Sequence, residues 1–329
     1  MVLRWRRSPV LTNSISPLLA IVGPTASAKS ALALHLARLF DGEIVNCDSL
    51  QIYRGMDIGT SKPTSAERAV VPHHLYDARN PNEVFTAGEY AQITRPVLTD
   101  ISARQHLPIV TGGAGFYLRA LLDGLFPGPT RSSDLRARLE RIQARYPNGL
   151  HRILRCWDLP SAARIHSNDG NKLIRALEVI VTERQPLSVA HRRLRGKLQG
   201  FRALKIGLNP NRAQLRTRIA QRTRRMFADG LIAEVEGLRA AGYGTDAKAM
   251  ESVGYRQAQA VLNRQLKLED AIVETSTRTS QYAKRQMTWF RRDLDVVWLE
   301  GFGEEPAIQA QAESHLKQFL SDANTFCHR

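Results

Sequence analysis

Cysteine is scarce in this chain: three in 329 residues, at Cys47, Cys156 and Cys327. Scattered in this way they make no metal-binding spacing and cannot all pair, which suits a protein of the reducing cytoplasm. Long apolar runs are missing as well. Leu18–Val22 is the longest uninterrupted run near the start, far below the roughly 20 residues that a bilayer span needs, so no membrane segment is expected. Met1–Pro17 carries Arg4, Arg6 and Arg7 without an apolar stretch or a small-residue cleavage site, and reads as a disordered basic tail rather than a signal peptide. Internal repeats and low-complexity tracts are absent. Acid is in deficit, with 31 Asp and Glu against 47 Lys and Arg, a net charge of +16. A hydrophobic fraction of 43% nevertheless supports a folded core, and the length suggests about two domains, or one with a large insertion.

The excess charge is concentrated. Between Arg131 and Arg225 stand 20 Arg and 3 Lys against 6 acids, a balance of +17, so the rest of the chain is close to neutral. A merely solvated, Arg-rich surface predicts dispersion along the chain; concentration points to a polyanion-binding segment, nucleic acid above all. The preference for Arg over Lys favours bidentate phosphate contacts and stacking on bases.

Leu18–Val22, then Gly23-Pro24, then Ser30–Leu39 with helical periodicity reads as strand, loop and helix. Glu43–Cys47 and Leu107–Thr111 are further buried strands, and Phe116–Leu122 is helix-like. This alternation predicts an α/β fold with a parallel sheet. From about Pro127 the pattern becomes helical (135–144, 150–154, 162–165, 172–182), and Leu204–Leu208 returns to the sheet. The helices Arg212–Asp229, Leu231–Ala241 and Asp270–Phe290 follow, then a last strand at Val296–Leu299. The expected organisation is a P-loop-type core over 18–126 and 201–329, with a helical, basic insertion over 127–200 behind the 1–17 tail.

Gly23, Pro24, Thr25, Ala26, Ser27, Ala28, Lys29 and Ser30 lie between that first strand and helix, the setting of a phosphate loop. Backbone N–H groups surround a diphosphate, Lys29 neutralises it, and Ser30 offers a hydroxyl to Mg²⁺. Ala28 stands where the motif has glycine, and is expected to be tolerated in a helical conformation. A motor or signalling NTPase would have an apolar strand ending in a carboxylate for Mg²⁺. The 107–111 strand ends in Thr111-Gly112-Gly113 and has none. Asp48 is the carboxylate at a strand end near this loop, placed to act as a base, although Asp-Ser before a helical stretch also reads as a cap.

Further residues now resemble a known family. The phosphate loop, the sixteen-residue run Asp48–Pro63, Pro72–Asp77, Gly112-Gly113, Arg175–Val179, Val253–Gln257 and Ala283–Arg291 together resemble the bacterial tRNA dimethylallyltransferases (tRNA isopentenyltransferases), in order and from about Leu18 to Leu299. The resemblance implies a P-loop-type core with a helical insertion. It also implies transfer of a dimethylallyl group from dimethylallyl diphosphate to the exocyclic amine of the adenosine just 3′ of the anticodon of tRNA, with Mg²⁺ assisting, in a cytoplasmic monomer. By that resemblance Asp48 takes the amine proton, and Lys29 and Arg222 hold the diphosphate, with Arg218 one turn away as a second candidate. Gln51 reads the adenine edge, which an amide can do bidentately.

The implied tRNA contacts are Asp48, Ser49, Leu50 and Gln51; Ala114; Arg136; Asn171, Lys172, Leu173, Ile174 and Arg175; Glu251, Ser252, Val253, Gly254, Tyr255 and Arg256; and Lys284, Arg285, Gln286, Met287, Thr288, Trp289, Phe290 and Arg291. In the last stretch Met287 and Phe290 also suit the buried side of an amphipathic helix. Ala114 replaces the family's usual threonine, and Glu251 brings a negative charge to a stretch expected to meet RNA. Competing readings are a small-molecule kinase binding ATP at the same loop, an isopentenyltransferase acting on free adenine nucleotides, and a non-enzymatic RNA-binding protein. The first two do not need the basic insertion, and the third leaves Asp48 beside a phosphate loop unexplained.

Overall fold

A computed structural model describes residues 15–126, 128–129, 131–190, 196–244 and 247–326. Residues 1–14 of the expected tail, the boundary residue Pro127 and Cys327 lie outside the described residues. The chain forms two compact units, Met1–Leu122 with Leu198–Arg329, and Asp123–Lys197.

The first unit opens with β1 (Ser16–Val22), α1 (Lys29–Leu39), β2 (Gly42–Asn46), α2 (Ser65–Val70), β3 (His73–His74), α3 (Ala87–Ala103), β4 (Leu107–Thr111) and α4 (Gly115–Leu122). The second unit holds α5 (Ser133–Arg145), α6 (Gly149–Trp157), α7 (Leu159–Arg164), α8 (Gly170–Glu183) and α9 (Leu187–Ala190). The first unit resumes with β5 (Phe201–Leu208), α10 (Arg212–Ala228), α11 (Leu231–Ala240), α12 (Tyr255–Leu262), α13 (Leu268–Phe290), β6 (Val296–Leu299) and α14 (Pro306–Phe326).

The six strands form one sheet in the order β3-β2-β4-β1-β5-β6, every described pair parallel. This is the expected α/β class. Strands covered on both faces need unbroken apolar runs, and β1, β2 and β4 are buried at every position. Leu32, Ala33, Leu36 and Ala37 of α1 pack with Leu19, Ile21, Ile44 and Ile109 of the sheet, and α14 adds Ile308, Leu316 and Phe319. β1 begins at Ser16, so Ser16 and Pro17, expected in the tail, belong to the sheet, in register with Phe201 and Arg202. Proline is accommodated there because the β4 partners of β1 start only at Leu19, and the missing N–H leaves no bond unmade. Among the described residues no helix is long and apolar enough to cross a membrane.

The second unit has its own core, in which Leu139, Leu150, Leu154, Leu173, Ala176, Leu177 and Ile180 meet. One acid sits inside it. Glu178 of α8 has no exposed side-chain surface and takes hydrogen bonds from Arg136 Nε at 3.1 Å, Arg175 Nη1 at 2.7 Å and the Ser132 N–H at 2.9 Å. Burial pushes the Glu178 carboxyl up, but those three donors outweigh it and hold it below the ordinary range. A lowered folded-state pKa supplies stability that is present above the ordinary carboxyl range and is lost as pH falls through the lowered value. Glu178→Ala should therefore cost about 3 kcal/mol in urea unfolding at pH 7, because two arginines lose their acceptor. It should also flatten the acid limb of the stability profile below about pH 4. Wild-type stability at both pH values would remove this role.

Candidate active site

In the strand order, β2, β4 and β1 are neighbours, so the residues that follow them emerge side by side at the carboxyl edge, where ligands bind in open parallel sheets. After β1 comes the phosphate loop, after β2 comes Asp48, and after β4 comes Gly112-Gly113. These residues share a cavity of about 190 Å³ whose wall includes Thr25, Lys29, Ser30, Asp48, Gln51 and Arg222. The grouping depends on close backbone approach. A Cβ on Gly112 would stand 2.0 Å from the Cys47 carbonyl oxygen.

The loop curls on itself: the Ser27 hydroxyl and the Lys29 ammonium both donate to the Pro24 carbonyl, at 2.8 and 2.7 Å. Ala28 differs from the expectation. It adopts φ 60, ψ 35, a left-handed conformation and not a helical one, and Ala26 is also at positive φ. Closure of the loop onto helix α1 fixes this conformation, and the alanine methyl makes it unfavourable by about 1–2 kcal/mol. Gly303 locks the arrangement from outside, its N–H donating to the Ser27 carbonyl at 3.0 Å.

Asp48 is set by its neighbours. The buried Asn46 accepts from the Asp48 N–H at 2.9 Å and donates to the Leu75 carbonyl at 3.0 Å. Asp48 Oδ1 accepts from the Leu50 N–H at 2.9 Å. The Lys29 ammonium is pushed down to about 8, by burial first and by Arg222 next, with Asp48 opposing. Burial also lowers the Arg222 guanidinium, again against Asp48. Two cations and one carboxylate thus interact through a partly dehydrated space. The phenols of Tyr76 and Tyr282 line the same cavity and are pushed up by burial and by Asp48, so both remain proton donors.

Arg222 reaches Thr25 Oγ1 at 3.4 Å and the Thr60 carbonyl at 3.3 Å. Arg218, expected beside it, instead pairs with Glu304 and covers the Phe302 ring at 3.8 Å. One helical turn carries it past the cavity to the 302–304 segment. Gln51 lines the cavity, but its amide nitrogen donates to the Thr60 and Ser61 carbonyls, both at 3.1 Å. That leaves its carbonyl oxygen for a ligand, so the bidentate reading expected of it does not fit this geometry.

The other expected contacts divide. Ser49, Leu50 and Val253 line the cavity with Asp48, and Ala114 is half-buried just beyond Gly113. Glu251 and Arg256 are exposed and Ser252 is half-buried, whereas Gly254 and Tyr255 are buried. In the second unit Asn171 and Lys172 are exposed, but Leu173 and Ile174 are core residues, and Arg136 and Arg175 are tied to Glu178. On α13, Lys284, Arg285, Thr288 and Trp289 are exposed, as is Arg291 just beyond it, Met287 is half-buried and Phe290 buried.

Gln286 turns inward. Its carbonyl oxygen accepts from the Thr25 N–H at 2.8 Å and its nitrogen donates to the Gly113 carbonyl at 3.0 Å. It braces the phosphate loop against the β4 turn and lines the cavity, away from the exposed face of α13. Thr275, Thr279, Tyr282 and Gln286 form one stripe of α13 along the cavity wall, and their spacing of four, three and four is a signal that sequence reasoning missed. Thr111 was missed too: it is 4% exposed, and its hydroxyl has no hydrogen-bond partner among the described residues.

No group of three His, Cys, Asp or Glu side chains converges among the described residues, so the chain offers no all-protein metal cage there. The Ser30 hydroxyl of this cavity does suit a hard cation such as Mg²⁺, which keeps water and shares a substrate's phosphate oxygens.

Two outcomes follow from the loop. Ala28→Gly should raise unfolding free energy by about 1 kcal/mol, read as a higher urea midpoint at unchanged slope, since glycine adopts the left-handed conformation without penalty. An unchanged or lower midpoint would mean that the methyl is not strained. Because Lys29 titrates near 8 and a bound diphosphate raises that value, binding takes up a proton above it. Affinity for an alkyl diphosphate should then fall by up to about tenfold per pH unit from about pH 8 upward. Lys29→Arg should abolish that step, and calorimetry between pH 7 and 9.5 distinguishes the two.

The family model described as "IPP transferase" matches residues 51–293. A "tRNA dimethylallyltransferase" of Solibacter usitatus is 52% identical over 304 residues, which is 92% of this chain and 99% of that relative. Among solved structures, the full-length tRNA isopentenylpyrophosphate transferase of Bacillus halodurans superposes with a TM-score of 0.71 at 33% identity, over 95% of this chain and 100% of that one. A eukaryotic dimethylallyltransferase described as acting on tRNA gives 0.75 at 25% identity, over 93% and 80%. With a family model matched along most of its length and a relative half identical almost end to end, this chain belongs to the IPP transferase family.

Proposed function

We propose that this chain is a tRNA dimethylallyltransferase. It moves the dimethylallyl group of dimethylallyl diphosphate to the N6 amine of the adenosine 3′ of the anticodon and releases diphosphate. The observation that carries this reading is the joint presence of Asp48, Lys29 and Arg222 in one cavity at the carboxyl edge of the sheet.

Adenine's exocyclic amine is a weak nucleophile because its lone pair is delocalised into the ring. An allylic diphosphate becomes a good electrophile once its leaving group is neutralised. The backbone of residues 23–28, Lys29 and Arg222 hold the diphosphate. The amine nitrogen bonds to the allylic carbon, the carbon–oxygen bond breaks, the electron pair leaves with diphosphate, and the proton passes to the Asp48 carboxylate. Ile219, Met226 and Val253 give the same cavity an apolar side for the five-carbon chain. Mg²⁺ would be held by Ser30 together with the diphosphate and would offset the charge on the leaving group. The target base must leave its stack to enter.

The tRNA is held, on this reading, by Asp48–Gln51, Ala114, the exposed Asn171 and Lys172, Glu251, Ser252, Val253 and Arg256, and the exposed face of Lys284–Arg291. Exposed arginines of the second unit, such as Arg138, Arg141 and Arg152, supply phosphate contacts. The free thiols of Cys47 and Cys156 accord with a cytoplasmic setting, and the enzyme acts as a monomer.

The test is labelled dimethylallyl diphosphate with unmodified tRNA, with AMP, and with neither. Label entering tRNA alone is expected. Label in AMP would indicate a free-nucleotide enzyme, and phosphate release from ATP a kinase. Asp48→Asn should lower the single-turnover rate by about 10²–10⁴-fold with tRNA affinity close to unchanged. Lost tRNA binding at a normal rate would reverse the role given to Asp48.

A further inference from the structure

Three consecutive backbone donors converge on one carboxylate outside the cavity. The N–H groups of Asp57, Ile58 and Gly59 donate to Glu234 of α11 at 2.9, 2.7 and 3.2 Å, and the Tyr255 hydroxyl adds a fourth bond at 2.6 Å. Burial and the Glu234 charge push the Tyr255 phenol far up, so it remains a donor. The fit is tight, since a Cβ on Gly59 would lie 2.4 Å from the Tyr255 ring. From the other side Lys62, whose side chain is 1% exposed, bonds Asp57 and Asp77.

The residue next to this clamp is Thr60. Its carbonyl is the acceptor shared by Arg222 Nη2 and Gln51 Nε2. Arg222 is otherwise fixed by Thr25 of the phosphate loop at 3.4 Å. A shift of the 57–60 loop therefore removes one of the two acceptors that orient the guanidinium, and one of two that orient the amide. Glu234 does not line the cavity, so its influence passes through the loop.

We infer that Glu234 is a positioning residue: by gripping the 57–59 backbone it sets the Thr60 carbonyl that aims Arg222 and Gln51 at the substrates. The inference rests on the diphosphate role given above to Arg222, and it deepens that role.

A double-mutant cycle on the full chain tests it, with inorganic pyrophosphate binding measured by calorimetry. Glu234→Gln keeps the shape but replaces one acceptor oxygen with a donor nitrogen, and should weaken pyrophosphate binding by about tenfold when Arg222 is present. In an Arg222→Ala background the same change should have little further effect, because the group it positions is gone. Glu234→Asp should restore part of the affinity. Equal losses in both backgrounds would show that Glu234 only supports the fold and would overturn the inference, as would undiminished binding in the single variant. Thermal unfolding of each variant identifies the folded ones, and Glu234→Ala supplies a second variant should Glu234→Gln unfold. The cycle uses pyrophosphate alone. A coupled cycle without prenylated tRNA in the labelling assay would therefore fault the proposed reaction and leave the positioning role intact.

Discussion

Lys29, Arg222 and Asp48 sit in a cavity of about 190 Å³, and the electrostatics of that space constrains the rest of the first unit. Two cations there are costly without compensation, because burial disfavours the charged form of each. Asp48 offsets part of this for both. The arrangement persists only if all three groups are held where they attract one another and cannot fold out to solvent. A diphosphate then enters a space already prepared for negative charge, which is what lowers the cost of neutralising a leaving group.

Holding them is a matter of backbone hydrogen bonds from distant parts of the chain. Gln286 spans the phosphate loop and the β4 turn, Asn46 fixes the turn that carries Asp48, and Thr60 receives Arg222. Gln286 and Thr60 contribute from outside the sheet edge, and Asn46 from the last position of β2. The parallel sheet brings three strand ends together; the side-chain amides and loop carbonyls determine where the charges point. The left-handed Ala28 belongs to the same economy of constraint. Strain in that turn is sustained because Pro24 receives two hydrogen bonds and Gly303 packs on the loop from outside.

Much of this was legible in the residues. Leu18–Val22 of β1 and Leu107–Val110 of β4 are continuous apolar runs, β2 and β5 hold shorter ones interrupted by Glu43, Arg202 and Lys205, and their alternation with helices made the parallel sheet readable. The two-residue strand β3 carries no periodicity, and α3 holds Pro96 in its interior, which obscures a helix by removing a backbone donor. In the site, Asp48 and Lys29 follow from strand-end logic. The inward turn of Gln286 does not, because its neighbours Lys284 and Arg285 mark the helix as basic and only tertiary packing decides which residue faces the loop. The conformation of Ala28 was likewise set by closure of the loop and not by alanine's own preference. Arg136 and Arg175 read as RNA contacts because the buried Glu178 that claims them is distant from Arg136 in sequence.

That last case bears on how a basic segment can fold at all. Six acids accompany the 23 basic residues between Arg131 and Arg225, and three of them are committed inside the second unit. Glu178 gathers Arg136 and Arg175. Asp158, 3% exposed, accepts from the N–H groups of Ser161 at 3.1 Å and Ser188 at 2.8 Å. Asp169 caps α8 through the Lys172 N–H at 3.3 Å. Acids placed in this way stabilise helix starts and a buried ion cluster while adding little negative potential to the exposed surface. Arg138, Arg141, Arg145, Arg152 and Arg155 remain exposed, so the positive field that attracts a polyanion is kept. The second unit thus keeps three of its acids in helix caps and a buried ion cluster, and an acid moved from those sites to the exposed face would lose a structural partner and weaken the positive field.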